Sequence, residues 1–135
     1  GGNSGSQASP LVIRAIALGE IRLRDWWKVF RRELVTGVVL GLFLAVLGMA
    51  RVALGGAVWG SFSEHYLMVG LTVAVALIGV VLFGSLVGSM LPFVLHRLKI
   101  DPATASAPFV ATLVDVTGLV IYFTVAGIIL SGTLL

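Results

Sequence analysis

The stretch that decides the fold is residues 107–130, APFVATLVDVTGLVIYFTVAGIIL. It contains one charged side chain, Asp115, among apolar and small residues. A membrane-spanning α-helix needs about 20 predominantly apolar residues, each adding about 1.5 Å of length. The stretch is therefore long enough to cross a bilayer. A carboxylate inside it calls for an explanation, because a charge is costly in hydrocarbon.

The composition of the whole chain supports the same class. Hydrophobic residues make up 59% and charged residues 11% of the 135 residues, and the mean hydropathy is +1.11. A soluble domain is about one quarter charged and about half apolar. The net charge of +3 could suggest nucleic acid, but the basic residues stand at the ends of apolar runs. That placement indicates lipid headgroups as partners and argues against nucleic acid.

Three apolar segments are long enough to span a membrane, and they run from Leu34 to Ala57, Tyr66 to Leu95 and Pro102 to Leu135. The second would be about 45 Å long as a helix, so we expect it to tilt, kink near Pro92 or project from the bilayer. The segment SPLVIRAIALGE before them predicts a short helix, the tail of a further span. The predicted fold is all-α, a polytopic transmembrane helix bundle.

Basic residues predict the orientation of the chain in the membrane. They cluster in two connections, at Arg14, Arg22, Arg24, Lys28, Arg31 and Arg32, and at Arg97 and Lys99. The positive-inside rule places the loops near 14–32 and 97–101 in the cytoplasm, with the WGSFSEH connection and the carboxyl terminus outside. The DWW motif among them predicts an interfacial anchor rather than a ligand site. Asp25 is expected to cap a helix that starts at Trp26.

Asp115 is the strongest candidate for chemistry. Ionisable residues within spans usually face a bundle interior or a wet cavity. Helical spacing predicts a stripe of small or polar residues on its face, comprising Thr104, Ala107 or Pro108, Ala111, Thr112, Asp115, Gly118 and Tyr122. We expect Pro108 to free the carbonyl of Thr104, and Asp115 to lie ~20 Å along a helix that begins at Pro102. A structural carboxylic acid and a proton relay are the alternatives.

Glycine-rich motifs are the other notable feature. GGNSG, residues 1–5, lacks the Gly-Lys-Ser/Thr of a phosphate-binding loop. It is either a flexible linker or a broken or closely packed part of a span, in which Asn3 and Gln7 accompany the glycines and offer carbonyl or amide oxygens. The pairs Gly37–Gly41 and Gly84–Gly88 have the spacing of close helix packing. No catalytic arrangement of side chains is evident, so an enzyme is not expected.

Several motifs together resemble one known family, the MgtE family of magnesium transporters, over essentially the whole chain. They are GGNSGSQ, RAIALGEI, DWW, RRE and GSMLPFVLHRLKIDPATASAPFVATLVDVTGLVIYF. The most specific part is the run Asp101-Pro102-Ala103 followed by Pro108, Thr112, Asp115 and Gly118.

The resemblance implies a homodimeric, channel-like importer of hydrated Mg²⁺ in the cell membrane, the bacterial inner membrane, with Mn²⁺, Ca²⁺ and Co²⁺ as further candidate ions. Asp115 matches the pore aspartate of the family, and the backbone carbonyl of Ala111 matches a second oxygen of the ion site. Ala107 stands where the family often has a polar residue, so no side-chain contact is expected there. The candidate pore-lining residues are Asn3, Thr112, Pro108 and Gly118.

The same resemblance predicts that residues 1–135 are part of a transmembrane pore domain. About three and a half of the five family helices are expected, without the first helix, half of the second and the cytoplasmic regulatory domains. Two other classes stay open. One is a proton- or sodium-coupled secondary transporter of divalent cations, in which Asp115 cycles a proton. The other is a non-transporting scaffold, in which Asp115 joins helices.

Overall fold

The computed structural model describes residues 1–59, except the side chain of Trp59, and residues 65–131. Four α-helices make up most of this part of the chain: α1 (Gly2–Ala17), α2 (Trp26–Trp59), α3 (Tyr66–Arg97) and α4 (Ala107–Leu130). Short 3₁₀ turns, Leu23–Asp25 and Pro102–Thr104, precede α2 and α4. The candidate membrane spans are Leu23–Val58, Tyr66–Arg97 and Ala107–Leu130. The prediction of an all-α membrane helix bundle is therefore confirmed.

Helix α3 is the centre of the bundle and contacts the other three helices. Helix α2 runs antiparallel to it, because Gly37 lies against Leu82 whereas Gly48 lies against Leu77 and Val73. Helix α4 is also antiparallel to α3, while α1 runs parallel to α3 and antiparallel to α4. Since α3 touches every neighbour, its apolar surface is the most buried of the three candidate spans.

Glycine lets α2 approach α3 closely. A Cβ atom at Gly37 would lie 2.9 Å from Leu82 Cδ1, and one at Gly41 would lie 3.0 Å from the Cα of Ile78. Small residues bring helix backbones together in a membrane, where apolar side chains gain little by leaving lipid. The packing role predicted for Gly37 and Gly41 is confirmed.

The GGNSG segment is helical, so the prediction of a flexible linker is wrong. Gly2 and Gly5 of α1 are buried, and Gly5 lies so close to α3 that a Cβ there would be 2.7 Å from the carbonyl oxygen of Gly84. A Cβ at Gly88 would in turn overlap the backbone of Gly5. The alternative prediction, a closely packed helical segment, is confirmed, and so is the packing role of Gly84 and Gly88.

Two helices end in the same backbone motif. Gly19, at φ +71°, follows α1, and the Glu20 N–H donates to the carbonyl of Ala15. After α3 the corresponding residue is Lys99, at φ +60°, and the Ile100 N–H donates to Leu95. These bonds satisfy carbonyls that the last helical turn leaves without a partner.

Two local predictions need correction. Helix α2 starts at Trp26 as predicted, but the Asp25 carboxylate accepts from the N–H of Arg22 and so closes the preceding turn instead of capping α2. The last span starts at Ala107 rather than Pro102, because Asp101 caps the separate Pro102–Thr104 turn by accepting from the Ala103 N–H. Most of the WGSFSEH connection and the carboxyl terminus lie outside the described residues, so their predicted location stays a prediction.

Candidate functional site

Asp115 lies about two turns into α4. The helix begins at Ala107, so Asp115 is about 12 Å along it instead of the ~20 Å expected from Pro102. The start of the helix also overturns the role expected of Pro108. That proline is in the first turn, where backbone N–H groups have no helical acceptor, so it does not free the carbonyl of Thr104. Thr104 lies in the preceding 3₁₀ turn and is not part of the stripe.

One side of α4 is covered and the other is open. Val110 and Val114 are fully buried against the bundle, and Gly118 is buried beneath Val80 of α3. Asp115 follows Val114 directly and is exposed, as is Val116. Asp115 therefore stands at the border between the packed side and the open side of α4.

The amino end of α1 meets α4 at this border. Gly2 lies so close to Asp115 that a Cβ atom there would overlap the carboxylate oxygen Oδ1. The same Cβ would lie 3.2 Å from the carbonyl oxygen of Ala111. The structure thus brings the Asp115 carboxylate and the Ala111 carbonyl together at Gly2. Only a residue without a side chain fits this contact, which explains the glycine.

Buried contacts further along α1 hold it in this position. Ser9 is fully buried, and its hydroxyl donates to the carbonyl of Ala105 at 2.7 Å. Ala105 is also fully buried, between the Pro102–Thr104 turn and the start of α4. Because buried hydroxyls need an acceptor, this bond fixes the position of α1 along the axis of α4. The sequence analysis missed Ser9, which is four residues after the buried Gly5 and so on the same helical face.

The remaining candidate pore-lining residues do not all converge on Asp115. Asn3 is exposed and directly follows Gly2, so it lies at the same end of α1. Thr112 is exposed, and its hydroxyl donates to the carbonyl of Pro108 at 3.0 Å. Gly118 packs against α3, since a Cβ there would be 3.2 Å from Val80, and together with Asp115 it lines an open cavity.

An open cavity of about 500 Å³ adjoins the carboxylate. Its lining is mostly apolar and comes from α3 and α4: Val80, Val114, Asp115, Val116, Gly118, Leu119 and Tyr122. Within the described residues, no three acidic or histidine side chains come close enough together to hold a metal ion. Asp115 is the one acidic residue in the lining of this cavity, so among the described residues a cation there would meet one carboxylate. Its other ligands would be backbone carbonyls, amide or hydroxyl oxygens, water or groups from another chain.

A second carboxylate in the bundle was missed by the sequence analysis. Glu33 of α2 accepts a 2.6 Å hydrogen bond from the hydroxyl of Ser85, which is buried in α3. Glu33 precedes Gly37 by four residues and Gly41 by eight, so helical spacing places it on the α2 face that packs against α3. This spacing is the feature of the sequence from which the contact could have been predicted. The bond joins α2 to α3 and does not involve α4.

Known proteins with similar sequences indicate one family. Residues 1–125 match the family model MgtE, described as a divalent cation transporter. The magnesium transporter MgtE of Thermus thermophilus is 47% identical over 132 residues, which are 98% of this chain and 27% of that protein. The magnesium transporters MgtE of Bacillus subtilis and Enterococcus faecalis are each 33% identical over 125 residues, which are 93% of this chain and 26% of theirs. The chain thus spans about a quarter of the length of these relatives.

Proposed function

Because the chain belongs to the MgtE family of divalent cation transporters, a membrane transport family and not an enzyme family, we propose that it forms part of a magnesium-selective channel. In this proposal Asp115 and the Ala111 carbonyl recognise hydrated Mg²⁺. One observation supports the assignment. Where α1 packs against α4, the Asp115 carboxylate and the Ala111 carbonyl both contact Gly2, at an open edge of the bundle.

The donor set suits a hydrated ion. Mg²⁺ prefers six oxygen ligands, releases its water reluctantly, and is usually held by one or two carboxylates while several waters remain. The described part of the chain offers one carboxylate here and no cluster of acidic side chains around it. A bare-ion cage is therefore not available. The Ala111 carbonyl has a lone pair beyond the one used in its helical bond, and it can accept from a coordinated water.

A second copy of the chain completes the site in this proposal. Two Asp115 carboxylates across a two-fold axis would supply two negative charges, which balance one divalent cation. The open side of α4 supports a partner there, because it presents several large apolar residues: Val116, Leu119, Val120 and Phe123 are 60–67% exposed. Lipid also covers such residues, so the size of the assembly is a measurable part of the proposal.

Transport driven by voltage is the first test. We expect the intact natural protein, reconstituted in liposomes with a magnesium indicator inside, to take up Mg²⁺ along its gradient. An inside-negative potential should accelerate uptake, because 100 mV acts on a divalent ion with about 4.6 kcal/mol. Uptake should continue when sodium is absent and a protonophore is present. Liposomes without protein are the control.

Two outcomes would contradict the channel, and a third would contradict the site formed by two carboxylates. Uptake that stops without a sodium or proton gradient would establish the coupled transporter. No flux of any divalent cation from a correctly assembled protein would establish the scaffold. A protein that assembles as a monomer and still transports would refute the two-carboxylate site. Competition by Ca²⁺, Mn²⁺ and Co²⁺ in the same assay measures the selectivity.

The contact between α1 and Asp115 gives a second test. We expect Gly2→Ala to lower magnesium uptake about tenfold, which corresponds to about 1.4 kcal/mol of lost ion binding. The reason is steric, since the new methyl group takes the place of Asp115 Oδ1 and turns the carboxylate away from the Ala111 carbonyl. The bundle should stay folded, because an aspartate side chain can rotate.

The matched control for this substitution is Gly79→Ala on α3. A Cβ at Gly79 would have its nearest neighbour, Ile121 Cγ2, at the ordinary distance of 3.4 Å. This variant should transport as the natural protein does. Normal uptake by Gly2→Ala would show that the position of the carboxylate set by α1 is not important for transport.

A further inference from the structure

A second concave surface lies at the other end of α3, away from Asp115. It is a groove of about 490 Å³ between the turn that precedes α2 and the last turns of α3. Its lining residues are Leu23, Arg24, Trp26, Met90, Phe93, Val94 and Arg97. The cavity beside Asp115 is level with Val80, and the groove begins ten residues later on α3, about 15 Å away.

The groove combines an apolar lining with two cations. Phe93 is buried at its base, whereas Leu23, Trp26 and Val94 are 38–50% exposed along it. Arg24 comes from the turn before α2 and Arg97 from the end of α3. Neither guanidinium has a hydrogen-bond or ion-pair partner within the described ranges 1–59 and 65–131. The charges are therefore available to a ligand.

The tertiary structure brings these two arginines, which are far apart in the sequence, to the same groove. The turn Leu23–Asp25 contacts α3, and the Asp25 carboxylate closes that turn through the N–H of Arg22. The two basic connections of the sequence thus lie at the same end of the bundle. Arg24 and Arg97 stand at the ends of the candidate spans, where the hydrocarbon of a bilayer gives way to headgroups.

We propose that this groove is a binding site for an anionic phospholipid. The phosphate would bind at Arg24 and Arg97, since guanidinium groups bind phosphate oxygens in bidentate fashion. An acyl chain would lie along Leu23, Phe93 and Val94. Basic pockets between membrane helices are typical sites for anionic headgroups, and a tryptophan such as Trp26 suits the same depth. Charge complementarity favours this occupant over a purely apolar helix, which would leave both cations without a partner.

Native mass spectrometry tests the site independently of transport. The intact natural protein in detergent is mixed with equal amounts of phosphatidylglycerol and phosphatidylcholine, and the ratio of the two lipids retained is measured. We expect phosphatidylglycerol to be preferred. In the variant Arg24→Gln/Arg97→Gln the preference should fall roughly 30-fold, about fivefold for each arginine, because each loses its charge-assisted contact with the phosphate.

Two further variants make the test specific. Arg31→Gln/Arg32→Gln removes the same charge from exposed positions near the start of α2 that do not line the groove, so it should change the ratio less than about twofold. Val94→Trp fills the groove and keeps both cations, so it should abolish the preferential retention of phosphatidylglycerol.

The proposal is overturned by any of three results. The Arg31/Arg32 variant could lose the preference as much as the Arg24/Arg97 variant, which would show general attraction to a basic surface. The Val94→Trp variant could retain phosphatidylglycerol, which would show that the lipid lies elsewhere or that another segment of a longer chain fills the groove. Soluble glycerol 3-phosphate could displace the lipid at equal concentration, which would identify the ligand as a soluble anion.

Discussion

The variant Asp115→Ala is expected to lose magnesium uptake almost completely while the helix bundle stays assembled. In the proposed channel each copy of the chain contributes this one carboxylate, so the substitution removes all side-chain charge from the ion site. The interaction energy between an ion and a carboxylate a few ångströms apart near a protein surface is more than about 3 kcal/mol. Losing about 3 kcal/mol lowers the affinity for the ion about 100-fold. Uptake into liposomes by the intact protein measures the effect.

Assembly should survive because Asp115 supports little packing. Its side chain is exposed, whereas Val110 and Val114 on the covered side of α4 are fully buried. Removing a charge from a membrane span also lowers the cost of insertion, by about 2.5–3.5 kcal/mol on translocon-insertion scales for a residue at the centre of a span. Size-exclusion chromatography should therefore show the same assembly for Asp115→Ala as for the natural protein.

Two asparagine variants separate charge from shape. Asp115→Asn keeps the volume of the side chain and removes its charge, so we expect uptake to fall nearly as far as in Asp115→Ala. Asp101→Asn is the control, because Asp101 is exposed in the α3–α4 connection and an amide oxygen can still accept from the Ala103 N–H. Normal uptake by Asp115→Asn would assign ion recognition to backbone carbonyls alone. Normal uptake by Asp115→Ala would make the aspartate a structural residue.

The variant Gly88→Ala is expected to have the largest effect on stability. A Cβ atom at Gly88 would lie 2.6 Å from the Cα of Gly5, whereas carbon atoms in contact are normally about 3.5–4.0 Å apart. The atoms of Gly5 that this Cβ would meet are all backbone atoms, so no side-chain rotation relieves the overlap and α1 must move away from α3. Overpacking of this kind costs about 1–3 kcal/mol, and a backbone collision is expected at the upper end. The midpoint of thermal unfolding in detergent measures it.

The same residue change elsewhere provides the control. At Gly127 of α4, a Cβ atom would meet nothing within 4 Å. Gly127→Ala should leave the unfolding midpoint unchanged or raise it, because alanine favours a helix over glycine by about 1 kcal/mol. Equal stability of the two variants would show that the close approach of α1 and α3 is not required. Because α1 positions Asp115 through Gly2, Gly88→Ala should reduce magnesium uptake as well.

Much of the architecture was predictable from residues that are close in the chain. The apolar stretches around Val39, Ala76 and Val120 predicted membrane helices, and the basic residues marked where those helices end. The comparisons confirm the membership of the MgtE family that the motifs predicted. The helix boundaries were less predictable, since Asp25 and Asp101 close short turns of their own through hydrogen bonds that helix-capping patterns do not distinguish.

The candidate site was predictable only in part. Asp115 was evident, because a charge in an apolar span is costly. Which side of α4 is covered was not evident, since that helix is apolar on every face and lipid is as apolar as the neighbouring helices. Hydrophobic periodicity therefore does not mark the side that packs. From the sequence, Thr104 was expected in the helix and Pro108 beyond its first turn, and whether GGNSG was a linker stayed open.

The sequence by itself thus determined that this protein is a helical membrane protein of a divalent cation transport family, with one carboxylate in its last span. Tertiary structure alone decided that Gly2 of α1 meets Asp115 and Ala111, that Glu33 binds Ser85, and that Arg24 and Arg97 share a groove. The physical reason is the separation along the chain between the residues that interact. Hydropathy and capping depend on neighbours within a few turns, whereas these contacts join residues on different helices, whose approach is set by glycine packing and buried hydrogen bonds.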